Sequence, residues 1–352
     1  MTAGHIVGRS EELDAIECFL DRLTRHPQGL LLEGPPGIGK TTLWRHAAIR
    51  ARERSFVLLS CRATQAEAKV AFACLAELLG PVAGDVLPRL PASQRDALAV
   101  ALVRSSAQVP APSAHAVAAA ALAALRLLAA ATPLVLAIDD QQWLDRASAE
   151  ALAFALGRID DRRVGVVAAA RAGERGRADR IALARAWPGR VVRVRLEPLG
   201  GTALHHVIRA HLGLGFPRPV LRRIVETTGG NPCFALELAR ALVESAARTG
   251  EDEPLFTAET LASLVERRLE RLPADVRTAL LVAATSSAPT VELVRRVVGD
   301  AADAALACAA RARVVEVQEG RVRFAHPLLA SAAYDAASDE TRRGVHRRIA
   351  GA

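Results

Sequence analysis

Gly34-Pro35-Pro36-Gly37-Ile38-Gly39-Lys40-Thr41 constrains this chain more than any other stretch of it. It follows Gly29-Leu30-Leu31-Leu32-Glu33, an apolar run too short for a helix and flanked by glycine, which reads as a buried parallel strand. Residues 41–52, just beyond it, read as a helix. In that setting the spacing GxxxxGK(S/T) is a phosphate-binding loop. Its glycines let successive amide N–H groups turn inward onto phosphate oxygens, and the helix N-terminus adds partial positive charge. Gly34, Pro35, Gly37, Ile38 and Gly39 form the cradle, Lys40 neutralises the β and γ phosphates, and Thr41, followed by Thr42, offers a hydroxyl to magnesium. Composition sharpens the assignment: of 46 cationic residues only Lys40 and Lys69 are lysines. Position 40 needs a compact ammonium, because a planar guanidinium fork does not fit inside such a loop.

Three more apolar runs follow, Phe56–Cys61, Leu134–Ile138 and Val164–Ala170, and Val191–Leu196 reads as a fifth strand; helical stretches separate them, such as the Ala/Leu-rich region containing Leu75, Leu78, Leu79, Leu98 and Leu102. Ahead of the first strand, Leu13, Ile16, Leu20 and Leu23 recur at helical spacing behind Ser10. Strands alternating with helices predict right-handed crossovers, hence a parallel sheet with helices on both faces: the α/β architecture of a P-loop NTPase. Active groups in such sheets lie at the carboxyl ends of the strands. The run Leu134–Ile138 ends in Asp139 and Asp140, of which the first would hold magnesium, directly or through water, and the second would orient or deprotonate an attacking water. Arg171 closes the next run and should stand beside these acids within reach of a γ-phosphate.

After Leu196 the pattern becomes helical, with turns at Gly213–Pro217 and Gly229–Pro232 and a charged linker at Gly250–Pro254. Helical segments near 259–272, 274–286 and 290–298 precede two alternating runs, Val314–Val317 and Arg321–Phe324, around a glycine-containing turn, and a helix from Leu328. This reads as a hairpin within a winged-helix module. The expected organisation is a nucleotide-binding core over 1–198, a helical lid over 199–250 and a winged-helix-like domain over 251–352.

Composition excludes several classes. The net charge of +8 comes from arginines interspersed with acids along the chain, and aromatic residues make up 3%, so neither a clustered basic surface nor a stacking platform for single strands is present. Five cysteines without a CxxC pair suggest buried thiols in a reducing compartment rather than a disulfide framework or zinc finger. Residues 1–30 carry too many charges for a signal peptide, which leaves the cytoplasm as the default. The apolar stretch Ala114–Ile138 is interrupted by Arg126 and Pro133 and runs into Asp139, so no membrane span is expected. No NKxD or TKxD guanine signature occurs, which favours adenine.

Taken together the motifs resemble the STAND class of AAA+ P-loop ATPases, and most closely the ATPase region of LuxR-type large ATP-binding transcriptional regulators. The resemblance rests on Val7-Gly8-Arg9 with Glu11 and Glu12, Gly34–Thr42, Asp139-Asp140-Gln141-Gln142-Trp143-Leu144-Asp145, Arg171, Gly230-Asn231-Pro232 and Phe324-Ala325-His326-Pro327-Leu328. Ser10 stands where the family's N-terminal element usually has an acid. The resemblance implies that Val7, Arg9 and Pro232 flank adenine and that His326 contacts the β-phosphate of ADP. It implies ATP/ADP and Mg2+ as ligands, and self-association or a regulatory protein as partner. Full-length relatives add a helical-repeat sensor and a C-terminal helix-turn-helix, which these 352 residues do not hold, so direct DNA binding is not expected without an added output domain. Three readings stay open: a nucleotide-dependent switch with slow ATP hydrolysis, an origin-recognition-like AAA+ ATPase acting on DNA, and a nucleotide-binding scaffold without turnover.

Overall fold

The computed structural model describes residues 6–64, 67–102, 113–171, 181–249, 269–286, 289–312, 314–318, 320–324 and 327–350. The chain forms two compact units, Met1–Pro35 with Gly39–Glu197, and Pro36–Ile38 with Pro198–Ala352.

The first unit is built on five strands, β1 (Gln28–Gly34), β2 (Val57–Arg62), β3 (Leu134–Asp139), β4 (Val164–Arg171) and β5 (Val191–Arg195), in the order β2-β3-β4-β1-β5 and parallel throughout. The apolar runs of β1, β3 and β4 follow from burial on both faces, whereas the edge strand β5 carries Arg193 and Arg195 and is only partly buried. Leu134, Leu136 and Ile138 of β3 join one core with the helices Ala73–Leu79, Ala114–Leu128 and Arg146–Leu156. The alternate residues Val135 and Ala137 are equally buried on the opposite face, as the pleat requires. Helices α1 (Ser10–Leu23) and α2 (Lys40–Glu53) pack on the sheet. Gly165 makes the approach of α1 possible, since a Cβ there would lie 2.7 Å from Leu23 Cδ2 and 2.8 Å from Phe19 Cζ. This is the α/β P-loop NTPase fold.

Parallel register fixes which strand ends meet. Gly34 of β1 pairs with Arg171 of β4, and Arg62 of β2 pairs with Asp139 of β3. The Ala114–Ile138 stretch divides into a helix and a strand, and among the described residues no helix is long and apolar enough to cross a membrane.

Helix α1 begins at Ser10, with Arg9 at the cap position and no side-chain capping bond. One sequence expectation is corrected. The five cysteines are not all free thiols: β2 runs into a loop that folds the helix α3 (Ala73–Leu79) back onto it, and Cys61 and Cys74 form a disulfide with Cα atoms 6.1 Å apart. Cys18 is exposed, not buried.

The second unit contains two cores. The helices Gly201–Leu212, Arg218–Thr228 and Pro232–Thr249 bury Leu204, Ile208, Val220, Ile224, Leu238 and Leu242 together, and left-handed Gly213 and Gly229 end the first two. The helices Ala274–Thr285, Val291–Val298, Ala302–Arg311, Pro327–Asp335 and Asp339–Ala350 share the other core with an antiparallel hairpin, β6 (Val315–Gln318) and β7 (Arg321–Phe324). The predicted linker 250–254, most of the predicted helix 259–272 and His326 lie outside the described residues.

Candidate functional site

The loop between β1 and α2 turns through Gly37 (φ +78°) and Gly39 (φ +108°), conformations that a side-chain-bearing residue adopts only under strain. Lys40 opens α2, is 7% exposed, and its ammonium donates to the carbonyls of Gly34 (2.9 Å) and Pro35 (2.8 Å). Desolvation lowers its pKa, with the positive charge of Arg171 adding to the effect and Asp140 and Asp139 opposing it. Lys40 therefore shares one electrostatic neighbourhood with the two acids and the arginine singled out in the sequence. Thr42 continues the helix, its N–H donating to Gly39 at 3.1 Å.

Asp139, the last residue of β3, is 1% exposed. Its Oδ2 accepts the Thr41 hydroxyl at 3.0 Å, and its Oδ1 accepts the backbone N–H of Asp140 at 3.0 Å. Burial raises its pKa, and the neighbouring Asp140 charge raises it further; Arg62, the Thr41 hydroxyl and the Asp140 N–H work against both. Asp140 sits in the left-handed region (φ +51°, ψ +44°), a strained conformation for a residue with a side chain. Two bonds hold it there: its Oδ1 accepts from Gln142 Nε2 at 2.8 Å, and its carbonyl accepts from the Trp143 N–H at 2.9 Å. The other end of Gln142 accepts the Arg171 N–H at 3.2 Å, so one buried amide joins the acid of β3 to the end of β4. The Arg171 guanidinium lies 5.8 Å from the Trp143 ring centroid.

Asp145 is a different kind of acid. Its carboxylate caps the helix Arg146–Leu156 through the Ser148 N–H (2.8 Å) and also accepts from the Phe72 (2.9 Å) and Cys74 (3.1 Å) N–H groups. It anchors α3 and is fully engaged in doing so.

The first unit thus gathers Gly34, Pro35, Gly39, Lys40, Thr41, Asp139, Asp140 and Arg171 at the carboxyl ends of β1, β3 and β4. Val7 and Arg9 precede α1, where Arg9 is buried against Glu12 at 2.7 Å. In the second unit Pro232 is the first residue of its helix, and Asn231 caps that helix by accepting from the Cys233 N–H at 3.1 Å. The Asn231 Nδ2 donates to the carbonyl of Pro36, a residue of the same unit, at 2.9 Å. Sequence reasoning missed Arg62, whose Nε lies 3.3 Å from Asp139 Oδ2, and the bridging role of Gln142. Arg62 was within reach of the same strand-end argument, since it directly follows the apolar run Phe56–Cys61.

The donor set suits magnesium. A desolvated carboxylate, crowded by a second acid and touching the hydroxyl of the second residue of the loop helix, supplies the hard oxygens that this cation takes alongside phosphate and water.

Fold and site together define a P-loop NTPase. Residues 5–167 match the family model of the AAA ATPase domain, a stretch that takes in the loop and both acids and ends four residues short of Arg171. Among solved structures, the chain is similar to a signal transduction ATPase with numerous domains (STAND) from Pyrococcus horikoshii that carries a tetratricopeptide repeat sensor. The identity is 14% and the TM-score 0.58, over 95% of this chain and 44% of that one, so this chain spans less than half the length of that protein. A Walker-type ATPase of Pyrococcus abyssi matches with 16% identity and a TM-score of 0.46, over 93% of this chain and 96% of the other. The ORC1 protein of Aeropyrum pernix, solved in complex with DNA, matches with 16% identity and a TM-score of 0.47, over 94% and 93%. No curated protein matches the sequence.

Proposed function

We propose that this chain is the nucleotide-binding part of a STAND-type switch that binds ATP and ADP with magnesium, hydrolyses ATP slowly and serves a transcriptional regulator of the LuxR type. The observation that carries the reading is the convergence of Lys40, Thr41, Asp139, Asp140 and Arg171 on one end of a parallel sheet. The loop amides and Lys40 bind the phosphates; Lys40 exchanges the Gly34 and Pro35 carbonyls for phosphate oxygens. Thr41 and Asp139 would hold magnesium, which would supply positive charge against the phosphates. Asp140, aimed by Gln142, orients the attacking water and accepts its proton as the bond between the γ-phosphorus and the bridging oxygen breaks. Arg171 registers the γ-phosphate and transmits its loss along β4.

In this reading 1–198 is the core, 199–250 a lid and 251–352 a winged-helix-like domain, with Val7, Arg9 and Pro232 around the adenine. The STAND protein of Pyrococcus horikoshii couples such an ATPase to a repeat sensor. A comparable sensor or a regulatory protein, or a second copy of the chain, would read the state of this one in the cytoplasm, where ATP is supplied. The test is turnover of ATP by wild type and Asp140→Asn, with bound nucleotide measured in parallel. The reading requires binding in both and turnover in wild type alone; equal, negligible rates with tight binding would make the protein a scaffold.

A further inference from the structure

The ion pair between Arg62 and Asp139 is not required by anything in the proposed reaction. Arg62 ends β2 directly opposite Asp139 in the parallel register, and its Nε lies 3.3 Å from Oδ2. That oxygen also receives the Thr41 hydroxyl at 3.0 Å, so both approach the face of the carboxylate that a cation shared with Thr41 would occupy. The two partners differ sharply in exposure: the Arg62 side chain is 31% exposed and that of Asp139 1%. The acid cannot move away, whereas the arginine has a route to solvent.

We propose that Arg62 is a positioning residue that competes with magnesium for Oδ2 of Asp139, so that the metal binds only as the guanidinium withdraws. The inference rests on the nucleotide-binding reading above. A buried carboxylate flanked by a second acid needs a compensating charge, and without metal the guanidinium supplies it. A divalent cation on the same oxygen would place like charges within a few ångströms of each other, so the two states exclude one another. The arginine thus keeps the metal-free site folded while weakening its hold on magnesium, which makes nucleotide retention sensitive to metal concentration.

The experiment is a magnesium titration of the full chain loaded with a fluorescent ATP analogue, for wild type, Arg62→Gln and Arg62→Lys, with analogue affinity also measured in EDTA. Arg62→Gln should lower the half-saturating magnesium concentration about tenfold, a coupling of about 1.4 kcal/mol, and leave affinity in EDTA nearly unchanged. Arg62→Lys keeps the charge and should fall between the two, which retains a test if the glutamine variant does not fold. Unchanged or raised half-saturation overturns the proposal. Equal loss of affinity with and without metal overturns it as well, by making Arg62 a phosphate ligand. Wild type that binds no nucleotide in either condition removes the functional reading itself, whereas wild type that binds and responds to magnesium leaves only the role of Arg62 at stake.

Discussion

The two units bury their polar groups in different ways. In the first, Arg9 and Gln28 are buried before α1 and at the start of β1, but Lys40, Asp139, Gln141, Gln142, Asp145 and Ser148, also buried, cluster where β1 and β3 end and the following helix begins. In the second, Thr228, Asn231 and Glu237 are the buried polar residues among those described, and their bonds are those of helix ends and helix faces: Thr228 to the Ile224 carbonyl, Asn231 to its own helix start, Glu237 to Arg240. Burying polar groups costs free energy unless each finds a partner, so a cluster of them at one strand end marks where ligands act. The helical unit uses its polar groups on its own backbone and on one side-chain ion pair.

That contrast can be broken by substitutions, taken from the largest expected effect downward. Asp145→Ala should destabilise the first unit by about 3 kcal/mol or more, because three backbone N–H groups lose their acceptor at a site closed to water. Thermal unfolding followed by calorimetry would show it, and a change of less than 1 kcal/mol would mean that the buried acids of this unit are not structurally divided as described. In the second unit the sensitive point is backbone. Gly230→Ala puts a Cβ 2.7 Å from the Leu199 carbonyl at a φ of +75° and should cost about 2 kcal/mol in the same assay.

Gln142→Leu keeps the volume of the side chain but leaves Asp140 free to turn. Turnover should fall about tenfold while nucleotide affinity stays within about twofold of wild type. An equal fall in both would show that Gln142 supports the whole strand end instead of aiming one acid. The smallest effect concerns thiols. Burial pushes the Cys233 pKa up to about 12, so at pH 8 it should resist iodoacetamide in the folded protein while exposed Cys18 reacts; mass spectrometry of the alkylated protein reads the difference. Labelling of Cys233 should increase as the pH is raised toward that value.

Much of the first unit could be read from the sequence because covering a strand on both faces forces a continuous apolar run. Leu134–Ile138, for example, became β3 over Leu134–Asp139, one residue longer. The loop was legible for the opposite reason: its chemistry lies in consecutive residues. What escaped depends on residues distant in sequence. Arg62 follows an apolar run and so stands at a strand end, but that it meets Asp139 depends on the β2–β3 register, across 77 residues. Cys61 and Cys74 come together only because α3 folds back on β2. The work of Gln142 needs the left-handed turn at Asp140, which no periodicity announces.

The central claim is that an adenine nucleotide binds where β1 passes into α2, and calorimetric titration of ATP with magnesium into wild type and Lys40→Ala tests it most directly. Saturable binding by wild type and a loss of about a hundredfold or more in the variant, equivalent to about 2.7 kcal/mol, is the predicted result. Equal affinity in two correctly folded proteins, or no heat from either, would contradict it.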